Sequence, residues 1–121
     1  MILGLRTAIY PAPDLDAAKQ WYAQVLGAPP YFDQPYYVGF HVGGFELGLL
    51  PSATPGTQGP QPLWGVAAIE AAYARLLELG AKAIDPPNDV GEGIKVAAVG
   101  DPFGNRLGII ENPNFRRDAV R

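Results

Sequence analysis

The sequence predicts an α+β fold: two βαβββ modules pairing into a curved, cleft-forming mixed sheet with helices on the outer face. Three observations predict it. The two halves of the chain repeat one grammar of strand, helix and short apolar strands. Gly43-Gly44 sits between two apolar runs, a strong hairpin signal because primed turns need positive φ. A stretch rich in proline and glycine, 51–62 (PSATPGTQGPQP), separates the halves near the middle of the chain.

Module one spans about 2–50. Residues 2–10 read as a strand ended by Pro11 and Pro13. Asp14 is a good N-cap, and Asp16 adds negative charge at the positive end of the following helix. That helix covers 15–26, with Leu15, Ala18, Tyr22, Val25 and Leu26 at helical spacing. Gly27 stops it, with Pro29 and Pro30 beyond. Tyr31, Phe32 and Tyr36 lie around a proline-rich loop. Residues 36–42 and 45–50 are the two hairpin strands.

After the linker, 51–62, module two spans about 63–111. Residues 63–67 read as a strand, 69–79 as a helix ended by Gly80, and 81–84 as a strand before a Pro-Pro turn. Residues 94–99 and 106–110 are strands joined by a turn at Asp101-Pro102-Phe103-Gly104. A tail, 112–121, follows. Leu15-Asp16-Ala17-Ala18 matches Ile69-Glu70-Ala71-Ala72, and Leu26-Gly27-Ala28 matches Leu79-Gly80-Ala81. Leu47-Gly48-Leu49-Leu50 matches Leu107-Gly108-Ile109-Ile110. One such unit alone exposes a whole sheet face, whereas two can pair around a shared cleft, so 1–121 reads as one domain.

Composition excludes several functions. The 121 residues include no cysteine and one histidine, so there is no disulfide framework, Cys-ligated zinc or thiol nucleophile. No site within one chain can use two imidazoles. A net charge of −3 gives no reason to expect a nucleic-acid partner. P-loop, dinucleotide and nucleophile-elbow motifs are missing. Neither a signal-peptide pattern nor a membrane span is expected, so the expected location is cytoplasmic.

The run Asp14-Leu15-Asp16-Ala17-Ala18…Trp21-Tyr22…Leu26-Gly27 resembles the first-module signature of the vicinal oxygen chelate superfamily. Asp101-Pro102-Phe103-Gly104-Asn105-Arg106-Leu107 is similar to its closing motif. The family includes glyoxalase I, extradiol dioxygenases, and fosfomycin and bleomycin resistance proteins. The resemblance implies a homodimer, and it places the metal-ligand positions of the family's enzymes on Thr7, Gln61 and Gly108. The fourth falls on Glu46, or on Gly48 if the internal repeat sets the register. At most one of the four carries a good ligand, where a transition metal usually needs about three. The resemblance is therefore to a metal-free branch, with no metal and no cofactor expected.

The hairpin sharpens the site. With a two-residue turn, Val42 faces Phe45, His41 faces Glu46 and Phe40 faces Leu47. Alternation puts Phe40, Val42, Phe45 and Leu47 on one apolar face suited to a helix, and His41 and Glu46 on the other. The resemblance makes that other face the ligand-binding one. His41 and Glu46 are either a dyad that binds a polar group or acts as general base, or a cross-strand pair facing water or a partner chain. Tyr37 shares their face and is placed to stack on a flat ligand. Arg106 either holds a ligand anion or is a solvated strand end. Thr7 and Gln61 either donate to a ligand or line a polar cavity. Gly48 and Gly108 leave room for a bulky ligand or relieve curvature. Tyr22 and Trp64 read as core, and Trp21 as packing at an edge.

Three functions follow. The first is a small-molecule binding protein of the bleomycin-resistance type, holding a drug-like or aromatic ligand without a metal. The second is a glyoxalase- or lyase-type enzyme using His41 and Glu46, with or without a non-standard metal. The third is a domain with an empty cleft and an interaction role.

Overall fold

The computed structural model describes Met1 and residues 3–121. The chain divides into two compact units, Met1–Gly56 and Thr57–Arg121, with the boundary inside the proline-rich linker. Each unit holds one four-stranded mixed sheet and one helix, so the fold class is α+β, as the repeat predicts.

In the first unit, β1 (Thr7–Pro11), α1 (Leu15–Leu26), β2 (Phe32–Gln34), β3 (Tyr37–Val42) and β4 (Phe45–Leu50) give the sheet order β1-β4-β3-β2. β1 runs parallel to β4, and the other pairs are antiparallel. Helix α1 has the predicted bounds because both ends carry their own stop signals. The Asp14 side chain accepts from the Ala17 amide, and Gly27 adopts the left-handed conformation, φ 71°, that closes the last turn. Gly43 and Gly44 both have positive φ, so the turn holds His41 opposite Glu46 and Phe40 opposite Leu47. Ala8, Tyr10, Val38, Phe40, Leu47 and Leu49 are buried on one sheet face. Helix α1, which packs on β3 and β4, buries Ala18, Trp21 and Tyr22.

The second unit repeats this topology. It comprises β5 (Leu63–Gly65), α2 (Ile69–Glu78), β6 (Lys82–Gly91), β7 (Ile94–Gly100) and β8 (Arg106–Glu111), in the order β5-β8-β7-β6. Ala97, Val99, Leu107 and Ile109 share one buried face, with Trp64, half-buried, opposite Ile109. The turn at 101–105 is built on a buried aspartate. Asp101 accepts from the Phe103 and Asn105 amides and from the Asn105 side chain. That network satisfies three donors in one tight reversal. The tail ends in a single 3-10 turn, Arg117–Ala119.

Four expectations need correction. The first strand begins at Thr7 and runs through Pro11, while Ile2 lies outside the described residues. Residues 32–34, read as loop, form edge strand β2. Residues 81–84 extend into the ten-residue β6, which passes through Pro86 and Pro87 with register shifts. An edge strand with bulges tolerates prolines because it has no ladder bond on one side. Trp21 is buried against Tyr22, not perched at an edge.

Helix α2 has no cap of its own. Ala68 supplies no side-chain bond, and the Ile69 amide donates instead to Oε1 of Glu111, at the end of β8, at 2.9 Å. A carboxylate there also suits the helix dipole. We expect Glu111→Ala to cost about 1 kcal/mol. Native-state hydrogen exchange should show α2 amides opening about fivefold more readily with α1 unchanged. Unchanged exchange in α2 would mean that Glu111 is not its cap.

Candidate functional site

The sheet face of the first unit turned away from α1 carries Thr7 and Ile9 of β1, Glu46 and Gly48 of β4, and Tyr37, Gly39 and His41 of β3. These assignments follow from the register Thr7↔Glu46, Ile9↔Gly48, Gly39↔Gly48 and His41↔Glu46. Tyr31 joins them from the residue just before β2, its amide bonded to the Gly39 carbonyl at 3.0 Å.

Glu46 is the centre of this cluster. The Tyr37 hydroxyl donates to Oε2 at 2.6 Å, and the Tyr31 hydroxyl donates to Oε1. The His41 ring lies flat on the Tyr31 ring, with centroids 3.8 Å apart and planes 11° from parallel. Phe32 contacts the rings of Tyr31, Tyr36 and Tyr37 and completes an aromatic rim.

Two glycines make room for this arrangement. A Cβ on Gly48 would stand 1.9 Å from the Tyr37 hydroxyl oxygen. One on Gly39 would press to 3.2 Å on both Glu46 Oε1 and the Tyr31 ring. Gly39 and Gly48 are direct partners across β3 and β4, so the missing side chains form one floor under the tyrosine–glutamate contacts.

The electrostatics follow from these contacts. The hydrogen bond to Glu46 raises the Tyr31 hydroxyl above the usual phenol range, with burial and the charge of Glu46 adding to it. For Tyr37 burial is the first cause, and the Glu46 bond and charge push the same way. Both phenols therefore stay protonated and donate throughout the neutral range.

Tyr37, His41 and Glu46 thus share one face, and Thr7, exposed, stands opposite Glu46 in the register. Glu46, however, is held by tyrosines and makes no ion pair with His41 among the described residues. Tyr31, which sequence reasoning left in the proline-rich loop, is the second phenol on Glu46 and carries the His41 stack. In the second unit Gln61 is exposed just before β5, and Arg106 pairs with Asp85 of β6. The space expected at the two glycines is filled: Tyr37 occupies it at Gly48. At Gly108 the Leu63 side chain lies 2.6 Å, and the Pro62 carbonyl 2.9 Å, from where a Cβ would be.

The positions that the resemblance marks for metal ligands hold a threonine hydroxyl, a glutamine amide, a glycine with no side chain and, depending on the register, a glutamate or a second glycine. Both oxygens of that glutamate already accept from phenols. Among the described residues no group of three or more His, Cys, Asp or Glu could hold a metal ion. This donor set does not fit a divalent transition metal. No helix among the described residues is long and apolar enough to cross a membrane.

No curated protein matches the chain. Among solved structures, a glyoxalase-related enzyme from Fulvimarina pelagi superposes with a TM-score of 0.75 at 21% identity, covering 93% of this chain and 90% of that one. A member of the glyoxalase/bleomycin resistance protein/dioxygenase superfamily from Sphaerobacter thermophilus gives a TM-score of 0.75 at 24% identity, covering 93% and 99%. A glyoxalase/bleomycin resistance protein/dioxygenase family enzyme from Burkholderia phytofirmans gives 0.73 at 19%, covering 87% and 95%. At these identities the likeness is one of fold. The family model of the Glyoxalase/Bleomycin resistance protein/Dioxygenase superfamily matches residues 4–109, and the chain belongs to that superfamily.

Proposed function

We propose that this protein binds a drug-like or aromatic small molecule without a metal, in the manner of the bleomycin-resistance-type members of its superfamily. The observation that carries this reading is the Tyr31–Glu46–Tyr37 cluster with His41 stacked upon it. It combines flat apolar surface with one fixed acceptor, the composition of a small-molecule site. The donor set at the metal positions supports the same reading.

A glyoxalase- or lyase-type reaction with His41 and Glu46 remains the second reading, because the two residues are cross-strand neighbours. Binding is favoured over base catalysis because Glu46 bonds to the Tyr31 and Tyr37 hydroxyls, and no hydrogen bond or ion pair among the described residues joins it to His41. The same proposal includes a homodimer, which sedimentation would test.

A thermal-shift screen against divalent metals and aromatic antibiotics tests the main claim. The expected result is a rise in midpoint with at least one aromatic compound in the presence of chelator, since a ligand selective for the folded state raises apparent stability. A stoichiometric metal that supports turnover would overturn it.

A further inference from the structure

Resting on that small-molecule reading, we propose that the ligand presents a planar cation with N–H donors, an amidinium or guanidinium on a flat body, to Glu46 across the Tyr31–His41 stack.

Three independent features of the first unit lead there. Glu46 is half-buried, and among the described residues no cationic side chain pairs with it. Its neighbours Tyr31 and Tyr37 are neutral donors that orient the carboxylate and leave its charge in place. Each carboxylate oxygen has room for two hydrogen bonds and receives one from a phenol, so one acceptor direction per oxygen is left for a ligand. A planar group with two parallel N–H bonds suits those paired acceptors.

The second feature is the charge of the face. Thr7, Ile9, Tyr37, Gly39, His41 and Gly48 surround Glu46 without a lysine or arginine, so no permanently charged side chain of that set competes with a cation or recruits an anion. The third is the aromatic rim. Tyr31 is 53% exposed although its ring is stacked on His41 and its hydroxyl is bonded to Glu46, so the residue that touches the carboxylate is still open to solvent. A cation over such a face gains from the ring quadrupole as well as from the carboxylate.

Amide chemical-shift titration of the full chain with benzamidine, with its neutral isostere benzamide and with benzoate tests this. Benzamidine is expected to shift the Gly39, His41 and Gly48 amides saturably, with benzamide at least about tenfold weaker. Glu46→Gln is expected to bring benzamidine down to the level of benzamide. Should that variant fail to fold, the unaltered chain gives the same answer through ionic strength. Raising salt from about 20 to about 200 mM should weaken benzamidine severalfold and leave benzamide unchanged. Equal binding of benzamide, tighter binding of benzoate, shifts confined to other residues, or no binding of benzamidine would each overturn the proposal. Aromatic antibiotics that shift these same amides without preference for a cation would leave the small-molecule reading standing. Failure of every compound would remove both.

Discussion

Replacing Phe40 with alanine is expected to destabilise the protein by about 3–5 kcal/mol, a large share of the roughly 5–15 kcal/mol that holds an ordinary domain folded. Phe40 is fully buried at the centre of β3, opposite Leu47 and between neighbouring buried strand residues on the face that α1 covers. Deleting its ring removes the transfer energy of the side chain and leaves a cavity that a two-layer unit has little means of collapsing. His41, the next residue, points to the other face and is exposed. His41→Ala should therefore cost less than about 1 kcal/mol, chiefly the stack on Tyr31. Urea unfolding of the two variants measures the contrast. Similar losses for both would mean that the two faces of β3 are misassigned.

Gly48→Ala is expected to cost about 2 kcal/mol and to weaken the proposed cation binding, because Glu46 loses a group that orients it. The new Cβ would overlap the Tyr37 hydroxyl, so the ring must leave its seat and its hydrogen bond to Glu46 is lost. Backbone strain is not the cause, because Gly48 is not among the positive-φ glycines. A double-mutant cycle isolates the steric origin. In a Tyr37→Ala background the overlap disappears, and Gly48→Ala should be neutral or mildly stabilising. Equal costs in both backgrounds would show that Gly48 serves the strand and not the tyrosine.

The elements legible in the sequence were those that carry their own ends. Asp14 and Gly27 bound α1, and Gly43-Gly44 dictate a register in which His41 must oppose Glu46. These are local decisions, made within four or five residues by caps and turn geometry. Strands β2 and the far half of β6 were not legible. Both are edge strands, one short and one carrying Pro86 and Pro87, and their pairing is conferred by a neighbour and not by their own pattern.

The candidate site divides the same way. Alternation along β3 and β4 determined that Tyr37, His41 and Glu46 share a face, because a pleated strand leaves no other choice. Which partners Glu46 takes was decided by tertiary structure. Tyr31 comes from fifteen residues away, and it reaches Glu46 because β2 docks beside β3. Tyr37 reaches it because Gly48 leaves space for a hydroxyl. Side-chain rotamers answer to the volume around them, and that volume is set by residues from three strands at once. The sequence alone thus determined two βαβββ units and a hairpin with one acidic, one imidazole and one phenol side chain on a common face. Only packing turned that list into a carboxylate clamped by two tyrosines, because the clamp depends on empty space, and empty space has no signature along a chain.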